Sequence, residues 1–543
     1  MRIILPLLTL ILVSSTLGAQ TFDDALRFSE NNALGTARSL GTSNSMSAIG
    51  ADWTAIQFNP AGLAAFRKNE VTITVGGVLS GTSDATLGAF TGPQSEVNVG
   101  SVMSSNDGSD FRTALPQLGL VFTREPIGSR WTQLNFGIGI SQTNRFEENI
   151  RFNGSTPGSI SDQFFETANF DGDLVFNPAT LDELNAFSDG PAFDAGVLIP
   201  VDATSAPNGY FTDYNDFGRS SDTDPGVPLF KEGTISREGH NSSFDLSLGA
   251  NYQEKWLFGA TISIVNTSYE ETNIYEEDDQ DGTIEVFDNL QYVVINSHTG
   301  TGINGKFGVI YRASQALRVG VSYHTPSFIS VSDDLFTNVT YRFEDNGAAV
   351  QGSGESPLFD PLDYSFVTPS TYRASAAYII GRRGFLSADI GYRNYSGGSF
   401  SIDDDQLAES FLNEDINDLT QGAFDARFGG ELNLSPFKLR AGFEFVGAPI
   451  EGEDAAYGIS GGAGFRKNRF SVDLGYRLSI RPDRIFRPYT VQSSDFPQPE
   501  VDYTPTLSTM ALTVGWKLVP RLYDEEEQST TPNRKRRKRR RRR

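Results

Sequence analysis

Between about residue 70 and residue 519, apolar and polar positions alternate in runs roughly ten residues long, broken by turn residues. In one run Phe437, Leu439, Ala441, Phe443 and Phe445 share a face, and Lys438, Arg440, Gly442 and Glu444 must point the other way. The same split separates Phe424, Ala426, Phe428 and Leu432 from Asp425, Arg427, Gly429 and Glu431. It also separates Phe470, Val472, Leu474 and Tyr476 from Ser471, Asp473, Gly475 and Arg477. Charge is confined to one face of each run.

These runs predict strands near 71–79, 112–124, 131–146, 241–253, 255–270, 300–313, 316–327, 370–380, 384–397, 421–433, 437–447, 456–467, 469–481 and 507–519, fourteen in all. The runs 284–298 and 329–343 read as extracellular extensions, because separate spans would add short connections on the long-loop side. Short turns (Gln253–Lys255, Ala313–Ala316, Ser435–Pro436, Arg466–Arg469) interleave with long polar loops, of which 147–240 is the longest. An even strand count with short turns at one end and long loops at the other is the pattern of an outer-membrane β-barrel. Trp131, Trp256 and Trp516 fall at strand ends beside short turns, as an interfacial aromatic girdle requires. A soluble sandwich also alternates, but its exposed face is polar and its strands run shorter.

The N-terminus agrees with export. Arg2, the apolar run Ile3–Val13 and the small residues Ser14–Ala19 read as a signal peptide, residues 1–19, with cleavage leaving Gln20 first. No later apolar run approaches the length of a spanning helix, and the mean hydropathy is −0.30. The absence of cysteine rules out a lipoprotein anchor, disulfides and thiolate metal sites. Of the formal net charge of −24, the ten basic residues Arg534–Arg543 supply +10, so everything before them sums to −34.

Residues 20–66 do not alternate. They read as a helix seeded by Asp23 and Asp24, a small-residue stretch, and a helical run from Ala55 to Phe66. The run Gly35-Thr-Ala-Arg-Ser-Leu-Gly41, then Ala48-Ile-Gly-Ala-Asp-Trp-Thr-Ala55, then Asn59-Pro60-Ala61-Gly62-Leu63 resembles the N-terminal plug of the FadL/TodX family of outer-membrane transporters. The resemblance implies an all-β, 14-stranded antiparallel transmembrane barrel with a small N-terminal helical hatch in its lumen. It also implies passive uptake of hydrophobic molecules, such as long-chain fatty acids or aromatic hydrocarbons, which leave sideways beside the hatch. Physics points the same way, since a barrel of this size leaks unless plugged. Inward Gly137, Gly139, Gly249, Gly458, Ser460, Gly462 and Gly464 leave room for a plug. The expected organisation is therefore hatch 20–66, barrel 67–520, and a disordered tail 521–543 that is polybasic from 534.

Asn59, Pro60, Ala61 and Gly62 are the candidate gate, because proline fixes its own backbone and glycine reaches angles closed to other residues. Inward Arg318, Arg373, Arg427 and Arg440 are candidate lumen groups for a substrate carboxylate, with pairing to the inward Asp245, Asp389, Asp425, Glu431, Glu444 and Asp473 as the competing use. Glu277, Asp279 and Asp281, followed by Gly282 and by Asp288 where a bidentate glutamate belongs, imitate a weak calcium loop; a solvated acidic loop is the alternative. No other cofactor is expected. His240, His298 and His324 fall in different segments with no nucleophile motif, so an enzyme is not expected. Export removes the nucleic-acid reading of the basic tail. Both termini are expected in the periplasm, where the tail would meet an anionic partner, and the outer-membrane lipids surround the wall. The alternatives are a secretion or surface-attachment accessory, akin to a type IX secretion shuttle, and a general porin.

Overall fold

The computed structural model describes residues 22–30, 32–89, 111–170, 174–202, 204–220, 226–345, 347–403, 405–492 and 498–518, with backbone alone for 79–89 and 111. The signal segment and the tail from 519 lie outside the described residues.

Fourteen antiparallel strands form a closed wall, one for each expected run. They are β1 (Asn69–Ala89), β2 (Phe111–Arg124), β3 (Trp131–Arg145), β4 (Leu229–Tyr252), β5 (Trp256–Asp278) and β6 (Phe287–Arg312). Next come β7 in two pieces (Leu317–His324, Phe328–Asp345), β8 in two pieces (Leu362–Val367, Thr371–Ile379) and β9 (Gly384–Asn394). The last are β10 (Gly422–Leu434), β11 (Phe437–Val446), β12 (Ala456–Lys467), β13 (Phe470–Ile480) and β14 (Pro499–Leu518). The first strand pairs with the last from Asn69↔Leu518 to Ala89↔Pro499, which leaves the wall no free edge. Both β7 and β8 break at a proline, Pro326 and Pro369, because proline cannot donate to a ladder.

The outer face explains the alternation. Leu248, Ile262, Val321 and Leu386 point outward at 63, 60, 59 and 59% exposure within a continuous apolar belt. Such a belt is stable against hydrocarbon and not against water. At the short-turn end Trp131 meets Tyr252, Trp256 meets Tyr311 and Trp516 meets Phe470, as a rim girdle should. No described helix is long and apolar enough to cross a membrane.

At the long-loop end the wall continues beyond the belt. The stretch 147–240 is largely folded: Glu148–Thr156 is a strand paired with Leu229–Arg237, so β4 begins twelve residues before its expected start at 241. Helices Ser161–Asn169, Asp189–Asp194 and Asp213–Phe217 pack over it as a cap. Beyond the lipid no face of a strand has to be apolar, so the alternation that marks the lower wall is lost there. The cap has its own core of Ile150, Phe152, Phe164, Tyr214, Leu229, Tyr275, Leu290 and Tyr341. The helix Gln406–Leu419 was also unexpected; its signal was Asp405, whose carboxylate accepts from the N–H groups of Leu407 and Ala408. The N-terminal helix Phe22–Ser29 lies in the upper lumen, where Ala25 and Phe28 pack with Val331, Phe366 and Phe400.

Candidate functional site: the hatch and the gap beside it

Residues 36–66 fill the lumen near the short-turn end as short turns tied together by side chains. Thr36 caps the Ala37–Leu40 turn by accepting from Ser39 N and donates to Asp52 at 2.8 Å, while Asp52 accepts from Thr54 N at 3.0 Å. The two recognisable motifs lie against each other. Gly50 has φ +68°, and a Cβ there would stand 2.7 Å from Gly62 O, so this approach requires glycine. Ala51 N then donates to Gly62 O at 3.0 Å.

The Asn59–Gly62 turn opens a 3₁₀ helix, Pro60–Ala65, and sits on the wall. Asn59 is fully buried. Its Oδ1 accepts from Ala61 N at 3.1 Å, and its Nδ2 donates to Val309 O and Val321 O, both at 3.4 Å. The wall recedes to admit it: a Cβ on Gly259 would lie 2.1 Å from Pro60 C, and one on Gly308 would lie 2.0 Å from Asn59 Oδ1.

The glycines that were expected to make room for a plug do so in most cases. Gly137 and Gly139 lie under Trp53, Gly249 under Leu63 and Ala64, and Gly462 against Gly41, while Ser460 hydrogen-bonds Ser43 at 2.8 Å. Gly458 and Gly464 accommodate wall groups instead, Glu444 in one case and the Arg440–Asp473 pair in the other. Polar pegs complete the seat. Ser45 meets Ser387 at 3.0 Å, Ser47 donates to Asp389, Gln57 donates to Asp245 and accepts from Lys306 Nζ at 2.6 Å, and Ala37 N donates to Thr513 Oγ1 at 2.7 Å.

The four candidate arginines have partners in place. Arg373 binds Asp425 at 2.8 Å, Arg440 bridges Glu431 (2.8 Å) and Asp473 (2.6 Å), and Arg427 lies 3.6 Å from Asp425 and 3.9 Å from Glu444. Arg318 donates to Ile49 O of the hatch at 3.0 Å and has no described carboxylate in reach. Cross-strand ion pairs of this kind settle inward charge in a low-dielectric lumen, so three of the four serve the wall.

One interval of the wall is open. The β2–β3 ladder ends at Gln117↔Ser141, although β2 runs on to Phe111 and β3 to Arg145. Beyond that point β2 pairs with β1 alone and β3 with β4 alone. Both strands carry a reason. Pro116 lacks an N–H and lies where β1 and β2 shift register, and β3 shifts register against β4 between Gln142 and Asn144. The opening is about 830 Å³ and is lined by Arg112, Leu115, Ile140, Gln142 and His240 among others. Arg112 reaches across it to Glu147 at 3.2 Å and to Glu238. The hatch forms its floor: Trp53 Nε1 donates to Ser141 Oγ at 2.9 Å and Thr54 Oγ1 to Gln117 Oε1 at 3.2 Å, so both residues of the last ladder pair are held by the plug. Sequence reasoning missed this gap; its signal was Pro116 inside a predicted strand.

The remaining candidates are dispersed. Glu277 is buried in the cap, accepting from Ser159 Oγ at 2.6 Å and Ile160 N at 2.9 Å; Asp279 accepts from Ile284 N at 2.6 Å; Asp281 is exposed. Among the described residues no three histidine, aspartate or glutamate side chains are grouped to share a cation. Glu277 and Asp279 are spent on backbone and hydroxyl donors. His298 lies between Asp24 and Asp333, His324 meets Phe58 O at 3.1 Å, and His240 lines the gap.

No protein-family model matches the chain, and no curated protein matches it by sequence. Solved structures do match. A toluene transporter of Pseudomonas putida, TodX, is 13% identical with a TM-score of 0.44, over 90% of this chain and 99% of that one. A FadL homologue of Pseudomonas aeruginosa is 13% identical with a TM-score of 0.50, over 89% of this chain and 98% of that one. Over nearly its whole length, therefore, this chain has the fold of that FadL homologue, a closed 14-stranded barrel with its N-terminal segment in the lumen.

Proposed function

We propose that the protein lies in the outer membrane of a Gram-negative bacterium and passes hydrophobic small molecules inward without catalysis. On this reading the short-turn end and both termini face the periplasm. A molecule enters from the long-loop end and leaves sideways between β2 and β3 into the lipid. The observation that carries the reading is the open interval between β2 and β3 in a plugged wall, lying beside Trp53 and inside an apolar belt. The seated hatch opposes a general porin, which needs a water-filled lumen. The lateral route also keeps a hydrophobic solute out of water after it leaves the lumen.

The test is a reversible staple. With no native cysteine, a disulfide between Leu115→Cys and Gln142→Cys would close the gap. Uptake of a labelled long-chain fatty acid and of toluene should fall in the oxidised variant and recover with reductant, at equal surface levels. Uptake of both at parental rates with the staple shown closed would sink the lateral route.

A further inference from the structure

The mouth at the short-turn end is a basin of about 860 Å³ between the hatch and the strand ends. Eight of its lining side chains are cationic and two anionic. Three of the eight are paired: Arg38 with Glu431 at 3.0 Å, and Arg67 and Arg312 both with Glu254, whose carboxyl is held down to about 2 by hydrogen bonds from Arg67. The others are Lys68, Arg318, Arg382, Arg466 and Lys517, none of which has a carboxylate within ion-pair distance among the described residues. Glu431 is already held by Arg38, Lys438 and Arg440, so only Glu70 of the lining acids remains to face them. Like charges gathered in a concave, partly dry site repel one another and concentrate a field that draws in anions.

The sequence supplies a counter-charge next to this basin. Asp524-Glu525-Glu526-Glu527 begins seven residues after Lys517, itself a lining residue. Seven extended residues span about 23 Å. A tether of that length holds the acidic run at an effective concentration on the order of millimolar. Its four carboxylates act together, where a small free anion brings one or two charges. Six residues, 528–533, then separate the acidic run from the polybasic run 534–543, so the basic run, which the basin repels, can stand clear of it.

We propose that Asp524–Glu527 docks in this basin as its intramolecular counter-ion and holds the polybasic run at the mouth, pointed away from the barrel. The order of the tail, acidic first and basic after, follows from that arrangement.

The experiment uses full-length protein in detergent, with heat-modifiable gel mobility as the check that each variant has folded. Asn433→Cys, on the basin wall, reports access by a neutral maleimide. Labelling should be at least tenfold faster in D524N/E525Q/E526Q/E527Q than in the parent tail, and salt at about 1 M, where the Debye length falls to about 3 Å, should accelerate it only with the parent tail. A second variant, Asn433→Cys with Glu526→Cys, should oxidise to a disulfide at a rate independent of protein concentration. Equal labelling with the acidic and neutralised tails would overturn the proposal. So would protection that survives neutralisation and disappears only on dialysis, which would mean a free anion, or a crosslink that forms only between chains, which would mean a second copy.

Discussion

The cap and the hatch are both held against the same barrel, with a different balance of apolar and polar contacts. The cap buries large side chains, Phe152, Phe164, Tyr214, Tyr275 and Tyr341 among them, as a globular domain does. The hatch also packs apolar groups on the wall, Trp53 and Leu63 beside Val121 and Met46 beside Phe385, but it adds buried Ser43, Ser45, Ser47, Thr54, Gln57 and Asn59, whose polar atoms reach the wall over glycines that let backbone approach backbone. Apolar burial is non-directional and scales with area. Hydrogen bonds of about 1 kcal/mol each fix register and orientation instead. The cap is thus stabilised wherever its surface is covered, whereas the hatch is stabilised in one seat.

The largest expected effect tests the cap side. Phe164 is completely buried and meets Tyr292 edge-on at 5.5 Å, so Phe164→Ala should cost the cap about 3–5 kcal/mol through lost transfer energy and a cavity. Protease should then cut within 157–228 while the barrel keeps its heat-modifiable mobility. A barrel that melts together with the cap would show the two to be one cooperative unit.

The next effect tests the hatch side. Gly259→Ala places a methyl against the backbone of Pro60, where no flexible side chain can yield. Overpacking of that kind costs about 1–3 kcal/mol, and here the cost falls on the seat of the plug and not on the wall ladder. Leakage of a small hydrophilic dye should rise with the barrel intact. Parental dye exclusion would mean that the turn shifts without losing its seal.

The same contrast explains what could be read from the sequence. The fourteen strands were legible because lipid outside and polar packing inside force a period of two on every span. The hatch was legible from Gly50, Asn59, Pro60 and Gly62, whose backbone demands are local. The ion-pair partners of Arg373, Arg427 and Arg440 were not, because which carboxylate faces which arginine depends on strand register. The upper parts of β6 and β7 were read as the extensions 284–298 and 329–343, whereas those of β4 and β5 escaped because nothing beyond the membrane requires one face to be apolar. Glu277, Asp279 and Asp281 have the spacing of a cation loop, and the partners that two of them take, Ser159 and Ile160 for Glu277 and Ile284 for Asp279, could not be read from that spacing. The gap had one readable sign, Pro116, and its meaning needed the ladder on either side.

A smaller effect concerns the latch across the gap. Arg112 is about a third exposed, and an exposed pair contributes about 0–1 kcal/mol, so Arg112→Ala should leave stability nearly unchanged. If the pair narrows the opening, uptake of a bulky hydrophobic substrate should rise more than that of toluene. Equal changes for both would place the narrowest point elsewhere.

The last change, at Asn59 and Pro60, bears most directly on the gate. Asn59→Ala removes the acceptor for Ala61 N, a cap worth about 1 kcal/mol, together with two long contacts to the wall at 3.4 Å. Pro60→Ala frees a backbone angle that proline fixes and enlarges the unfolded ensemble of the turn, for a further loss of about 0.4–1 kcal/mol. Neither change touches a ladder hydrogen bond, so the double variant should retain its heat-modifiable mobility. The turn that seats the plug on β5, β6 and β7, two to four strands around the wall from β3, would be looser. If the hatch moves as one piece, loosening there should also disturb Trp53 and Thr54 at the floor of the gap. Entry of a labelled fatty acid and of a hydrophilic dye should both change. A change in the dye alone would mean a leaking plug uncoupled from the lateral route, and unchanged rates for both, at equal surface levels, would mean that Asn59–Gly62 only links the hatch to the first strand.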